Sequence, residues 1–172
     1  YDAQGHILTK TNGDGVLKVT NQYDETGRVV LQKDGKDAVT KFAYTEGKNG
    51  NLTVNITDRN GNTAILVSDR KGNTLRYTNP EGETTISMYD GEGNLLSVKN
   101  AENNICFYSY DRKGNQTRIM DAYGKTTDMT YDDRSNLTGV TDGKGSETKY
   151  TYNDKNLLTR IQYSSGKVVE YT

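Results

Sequence analysis

Tyr110-Asp111-Arg112-Lys113-Gly114-Asn115 decides the fold, because the chain repeats it. Close copies stand at Tyr1-Asp2-Ala3-Gln4-Gly5, Tyr23-Asp24-Glu25-Thr26-Gly27 and Tyr89-Asp90-Gly91-Glu92-Gly93-Asn94. Weaker ones stand at Tyr44-Thr45, Ser68-Asp69-Arg70-Lys71-Gly72-Asn73, Tyr131-Asp132 and Tyr152-Asn153. The anchors fall at 1, 23, 44, 68, 89, 110, 131 and 152, spaced by 22, 21, 24, 21, 21, 21 and 21 residues. A ninth would fall at 173, one residue past the last. The reading is one array of eight repeats over residues 1–172, cut from a longer chain. A fixed period of this length means a repeat architecture, in which each unit stacks on its neighbours.

Composition agrees with a thin β-rich array. Hydrophobic residues make up 31% of the 172 and mean hydropathy is -0.90. Disorder by composition requires high net charge as well, and here 22 Lys and Arg face 23 Asp and Glu. Thirteen Tyr and many Thr replace aliphatic bulk, and both suit strands. A sheet with one wet face needs few apolar residues. Basic and acidic residues are interspersed, with no run that would mark a nucleic-acid partner. No apolar stretch approaches the roughly 20 residues of a membrane-spanning helix. No signal peptide is present in this segment, and one cysteine excludes an internal disulfide framework.

Each repeat reads as turn, strand, turn, strand. In the sixth, Asp111 to Asn115 has turn chemistry: Asp bonds its own backbone and Gly supplies positive φ. Residues 116–120 form a strand, Asp121-Ala122-Tyr123-Gly124 a second turn, and residues 125–131 the return strand. The second turn recurs as Asn12-Gly13-Asp14-Gly15, Asn79-Pro80-Glu81-Gly82 and Asp142-Gly143-Lys144-Gly145. Short strands and tight turns give antiparallel hairpins with no room for a crossover helix. Asp37, Asn103, Asn156 and Ser135 stand where other copies have the closing Gly. Asp and Asn tolerate the left-handed conformation; Ser135 is harder to account for.

Strand alternation puts three columns of each return strand on one face. In the fifth, sixth and seventh repeats these are Cys106, Tyr108 and Tyr110, then Thr127, Met129 and Tyr131, then Thr148, Tyr150 and Tyr152. Stacked hairpins align them as ladders. The outgoing strands supply a Leu column (Leu95, Leu137, Leu158) and a Val/Ile column (Val98, Ile119, Val140, Ile161). The other face is polar except at Ile65, Val67, Ile86, Met88, Ile105 and Phe107, where it has apolar surface to offer a partner. The third repeat is longer: residues 46–51 are expected to extend its first turn by about two residues, and one more before Asp58 to form a bulge.

The sequence gives catalysis little to work with. His6 is the only histidine and reads as exposed beside a turn, and Cys106 as a small packed residue. Asp58-Arg59-Asn60-Gly61-Asn62 has the look of a calcium loop but lacks the terminal Glu. Neither a catalytic set, a metal site nor a cofactor site is expected. The Tyr ladders read as packing, with sugar stacking on exposed rings as the alternative.

Together, Tyr-Asp-x-x-Gly-Asn, the second Asp/Asn-x-x-Gly about 11 residues after each Tyr, and the ending Thr148-Lys149-Tyr150-Thr151-Tyr152 resemble the YD-repeat, or Rhs, family in all eight units. The repeat anchors carrying the resemblance are Tyr1, Asp2, Gly5, Tyr23, Asp24, Gly27, Tyr44, Asp69, Gly72, Tyr89, Asp90, Gly93, Tyr110, Asp111, Gly114, Tyr131, Asp132 and Tyr152. That family includes bacterial polymorphic toxins, wall-associated toxins, toxin-complex cocoons and teneurins. The resemblance implies an all-β antiparallel ribbon, here sixteen strands and roughly 75 Å long at about 4.8 Å per strand, which spirals into part of a hollow shell. It implies a secreted or cell-surface setting, and as partners the remaining repeats and an enclosed C-terminal toxin or other cargo. The alternative is a surface module that binds glycan or another protein. Uncapped strand edges imply self-association of the isolated segment.

Overall fold

The computed structural model describes residues 1–171, and every element in them is a strand or a turn. Sixteen strands lie in one open antiparallel sheet in which spatial order follows sequence order. No helix among the described residues is long and apolar enough to cross a membrane. Two compact units divide the chain, Tyr1–Ile86 and Ser87–Thr172.

The first unit holds β1 (Thr9–Thr11), β2 (Leu17–Tyr23), β3 (Val29–Asp34), β4 (Val39–Glu46), β5 (Leu52–Thr57), β6 (Thr63–Ser68) and β7 (Thr74–Thr78). β8 (Thr84–Tyr89) begins in it. The second unit continues with β9 (Leu95–Lys99), β10 (Ile105–Tyr110), β11 (Gln116–Met120), β12 (Thr126–Tyr131), β13 (Leu137–Thr141), β14 (Glu147–Tyr152), β15 (Leu158–Gln162) and β16 (Val168–Glu170).

One turn design recurs sixteen times. In each five-residue turn the first residue's N–H donates to the carbonyl of the fifth, and the fourth residue's N–H to the carbonyl of the first. The fourth residue always has positive φ. This is a tight turn closed by a left-handed residue, a three-residue hairpin connection whose twist suits antiparallel strands. Asp37, Asn103, Ser135 and Asn156 occupy that position at φ 64, 67, 64 and 60°.

Alternation works as the sequence implies. In β14, Thr148, Tyr150 and Tyr152 are half-buried while Glu147, Lys149 and Thr151 are exposed. In β10, Cys106, Tyr108 and Tyr110 are half-buried and Phe107 and Ser109 exposed. Such a thin sheet has almost no interior: among the described residues, Val54, at 8% exposure, is the one buried hydrophobic side chain. Cohesion therefore comes from many half-buried side chains, each contributing on the order of 1 kcal/mol, and from the ladder bonds between neighbours.

The third repeat departs from expectation. Its first turn, Gly47 to Asn51, has the same five-residue geometry as the others. The extra residues lengthen the strands instead, and β4 reaches eight residues. β4 pairs with β5 in unbroken register from Lys41↔Thr57 to Glu46↔Leu52. β5 pairs with β6 without a shift, so the bulge expected before Asp58 is absent. Bulges stand instead in ordinary repeats, opposite the anchor position at Tyr23, Ser68, Tyr110, Tyr131 and Tyr152.

Candidate functional site

The features that set this chain apart cluster at the Tyr-Asp turns. In the sixth repeat, Asp111 Oδ1 accepts the N–H groups of Lys113 (2.8 Å) and Asn115 (2.9 Å), and Oδ2 accepts the side-chain amide of Asn115 (2.8 Å). Asp69 with Asn73, Asp90 with Asn94 and Asp132 with Asn136 repeat the arrangement. The Asn amide holds the Asp111 carboxyl below its ordinary range, burial opposes it, and the backbone N–H groups add to the lowering. The favoured state is therefore the carboxylate, which accepts hydrogen bonds.

In the first two repeats other residues fill the fifth position. His6 Nδ1 lies 2.7 Å from Asp2 Oδ2, and the His6 ring stacks on Tyr23 with centroids 4.6 Å apart. His6 is thus half-buried and engaged, not the exposed histidine expected from the sequence. Arg28 donates from Nε to Asp24 Oδ2 at 2.9 Å and lies 4.7 Å over the Tyr44 ring. The signal that could have placed His6 was its turn position, which is Asn in the regular copies.

Three anchor tyrosines tie their repeat to the one before. Tyr23 donates its hydroxyl to the Ile7 carbonyl (2.8 Å), Tyr44 to that of Val29 (2.7 Å) and Tyr131 to that of Gln116 (2.9 Å). Burial raises the phenol pKa of Tyr44, Tyr131 and Tyr152. Tyr89, Tyr110 and Tyr152 are also half-buried, whereas Tyr1 is 82% exposed.

A second set of bonds links adjacent turns in the second unit. Asn115 Nδ2 donates to Ser135 Oγ (3.1 Å) and Asn136 Nδ2 to Asn156 Oδ1 (3.1 Å). Lys113 Nζ donates to the Asp133 carbonyl (2.6 Å) and Arg134 to the Asp154 carbonyl (3.1 Å). Ser135, puzzling in the sequence, is thereby explained: its side chain accepts a bond that glycine could not offer. Between the fifth and sixth Tyr-Asp turns Gly114 offers no such group, and a cleft of about 750 Å³ opens there, lined by Glu92, Leu96, Tyr110 and Arg112 among others.

Asp58 spends its oxygens on Asn60 and Asn62, which accounts for the calcium-like pattern without a cation. No group of three or more His, Cys, Asp or Glu among the described residues is placed to hold a metal ion. Cys106 sits on β10 opposite Val98, half-buried.

Comparison with known proteins agrees with this arrangement. The RHS Repeat family model matches residues 110–147 and 131–168. Comparison with curated proteins gives no match. Among solved structures, a TcdB2-TccC3-Cdc42 crystal structure is similar at TM-score 0.66 and 20% identity, over 84% of this chain and 9% of that one. A Photorhabdus luminescens Tc holotoxin pore with a TccC3 mutation is similar at TM-score 0.66 and 19% identity, over 84% and 9%. At that identity the likeness is one of fold, and the chain spans about a tenth of those proteins. Residues 110–168 match the RHS Repeat model and the same turn design recurs through both units, which together support the Rhs/YD-repeat family for this chain.

Proposed function

We propose that residues 1–172 act as one array in a longer chain and form a non-catalytic part of the wall of a hollow Rhs/YD shell, which encloses a toxin or other C-terminal cargo in a secreted or cell-surface setting. The observation that carries this reading is the recurrence of one turn design through all eight repeats. Asp carboxylates, anchor hydroxyls and Asn amides are spent on the repeat's own turn or the neighbouring repeat. Such a surface is built to propagate, and its role is mechanical. Tc toxin structures with the same fold support a toxin setting.

Electron microscopy of the longest native chain containing this segment tests the reading. A closed particle with internal density is the expected result; an open array would overturn it. A glycan-binding surface is the second reading, favoured by the strongly exposed ring of Tyr123, at 86%. Glycan screening of residues 1–172, with Tyr123→Ala as the control, decides that one. The open sheet edges also imply self-association of the segment.

A further inference from the structure

The joint between the fifth and sixth Tyr-Asp turns lacks the side-chain bonds that close the two joints after it. At those later joints the third turn residue is a cation, and it reaches across to the second carbonyl of the next turn. Lys113 Nζ donates to the Asp133 carbonyl at 2.6 Å and Arg134 to the Asp154 carbonyl at 3.1 Å. Glu92 holds this position in the fifth turn, and a carboxylate has no proton to give the Arg112 carbonyl. The Asn bond is missing as well. Asn115 and Asn136 each donate to the side chain of the next left-handed residue. Asn94 meets Gly114 instead, and its amide bonds only Asp90 of its own turn. Its Oδ1 lies 4.0 Å from where a Gly114 Cβ would stand, so an acceptor faces the joint.

These two exchanges leave the cleft of about 750 Å³, a volume in the range of ligand sites. Five charged side chains line it. Asp90 and Asp111 are engaged within their own turns, and Lys113 with Asp133. Glu92 and Arg112 remain, opposite in sign and without an ion-pair partner among the described residues. Leu96, at 37% exposure, adds apolar surface.

We propose that this cleft binds the lysine side chain of a peptide partner, whose ammonium takes the place that Lys113 and Arg134 fill at the next joints. The ammonium has three donors for the three acceptors on offer: the Glu92 carboxylate, the Arg112 carbonyl and Asn94 Oδ1. The lysine stem lies against Leu96 while the head stays among polar groups. The Arg112 guanidinium meets a carboxylate, so an acidic residue beside the lysine favours the segment. The site does not rest on the shell reading, and holds for a wall or for any other use of the array.

An NMR titration of the isotopically labelled chain with the capped tetrapeptide glycyl-lysyl-glutamyl-glycine tests it. The backbone amides of Asn94, Arg112 and Lys113 are expected to shift and saturate together. The same peptide acetylated on the lysine nitrogen loses the charge and two of three donors, and should bind about tenfold more weakly or worse. Glu92→Lys puts an ammonium on the chain itself, as at Lys113, and should also weaken binding about tenfold or more. Glu81→Lys makes the same change of charge in an exposed turn outside the cleft and should stay within about twofold of wild type. Glu92 and Glu81 are both exposed turn residues, and the amide spectra report directly that each variant is folded. Absence of saturating shifts, equal binding of the acetylated peptide, or equal loss in the two variants overturns the proposal. None of these outcomes bears on whether the native chain closes into a shell, which electron microscopy reads separately.

Discussion

The β4–β5 and β12–β13 hairpins bring apolar side chains to one face by different routes. In β13, Leu137 and Val140 are three residues apart, and alternation would send them to opposite faces. Thr138 is the extra, bulged residue, so Leu137 pairs with Tyr131 and Val140 with Met129. In β5, Leu52, Val54 and Ile56 are two apart, and an unbroken ladder pairs them with Glu46, Tyr44 and Phe42. The straight hairpin contains the most buried hydrophobic among the described residues, Val54. The difference teaches that parity of apolar spacing, rather than turn length, sets the register of each hairpin.

Single-residue deletions should break this comparison most sharply. Removing Thr138 leaves Leu137 and Val140 two apart, ready for a straight ladder with both faces preserved. Its cost should stay within about 1 kcal/mol, mainly a weak Thr130–Thr138 hydroxyl bond and local twist. Removing Thr53 makes Leu52 and Val54 adjacent and forces one of them off the packed face. That should cost about 2–4 kcal/mol. Urea denaturation followed by circular dichroism ranks the two; equal losses would show that parity does not govern register here.

Much of this architecture can be read in the sequence, because turn chemistry and alternation are local signals. Asp111 through Asn115 dictates its own turn, and Thr127, Met129 and Tyr131 their own face. The bulges were encoded too, in the three-residue spacing of the Leu and Val/Ile columns. The longer third repeat drew attention to the wrong place: added residues look like loop until the ladder shows them paired. Ser135 and His6 belong to another class. Ser135 is held by an Asn twenty residues earlier, and His6 stacks on a Tyr seventeen residues later. Such partners follow from the stacking of repeats, which no local propensity describes.

Packing depth sharpens the same contrast. Val54→Ala should cost about 2 kcal/mol, because the site is closed and cannot collapse fully. Leu137→Ala removes a larger side chain from a half-buried site and should cost about 1 kcal/mol. Denaturation midpoints in urea give both values, and the smaller residue is expected to matter more.

At Ser135 two terms of similar size oppose each other. Glycine would relieve the cost of φ 64°, about 1 kcal/mol, and lose the bond from Asn115, also about 1 kcal/mol. Ser135→Gly should therefore be close to neutral. Ser135→Ala keeps the backbone cost and loses the bond, so it should be the worse of the two by about 1 kcal/mol. Thermal melts of the pair, with Asn115→Ala in a double-mutant cycle, separate the terms.

Acid should distinguish the two regions most gently. Asp69, Asp90, Asp111 and Asp132 are held below the ordinary value of 3.8, first by the Asn amide of each turn. A carboxyl whose folded pKa is depressed contributes stability that is present above the unfolded value and is lost as pH falls through the folded one. These turns should therefore hold at pH 5 and loosen only below about pH 3.8. The third repeat has Gly47 where they have Asp, so its turn has no such group to protonate. In an NMR titration the Asn115 amide, which donates to Asp111, should shift as the carboxyl is protonated, while the Asn51 amide stays flat. Asn51 moving with the same midpoint would mean that acid acts on the array as a whole, and that the turns are not independently clamped.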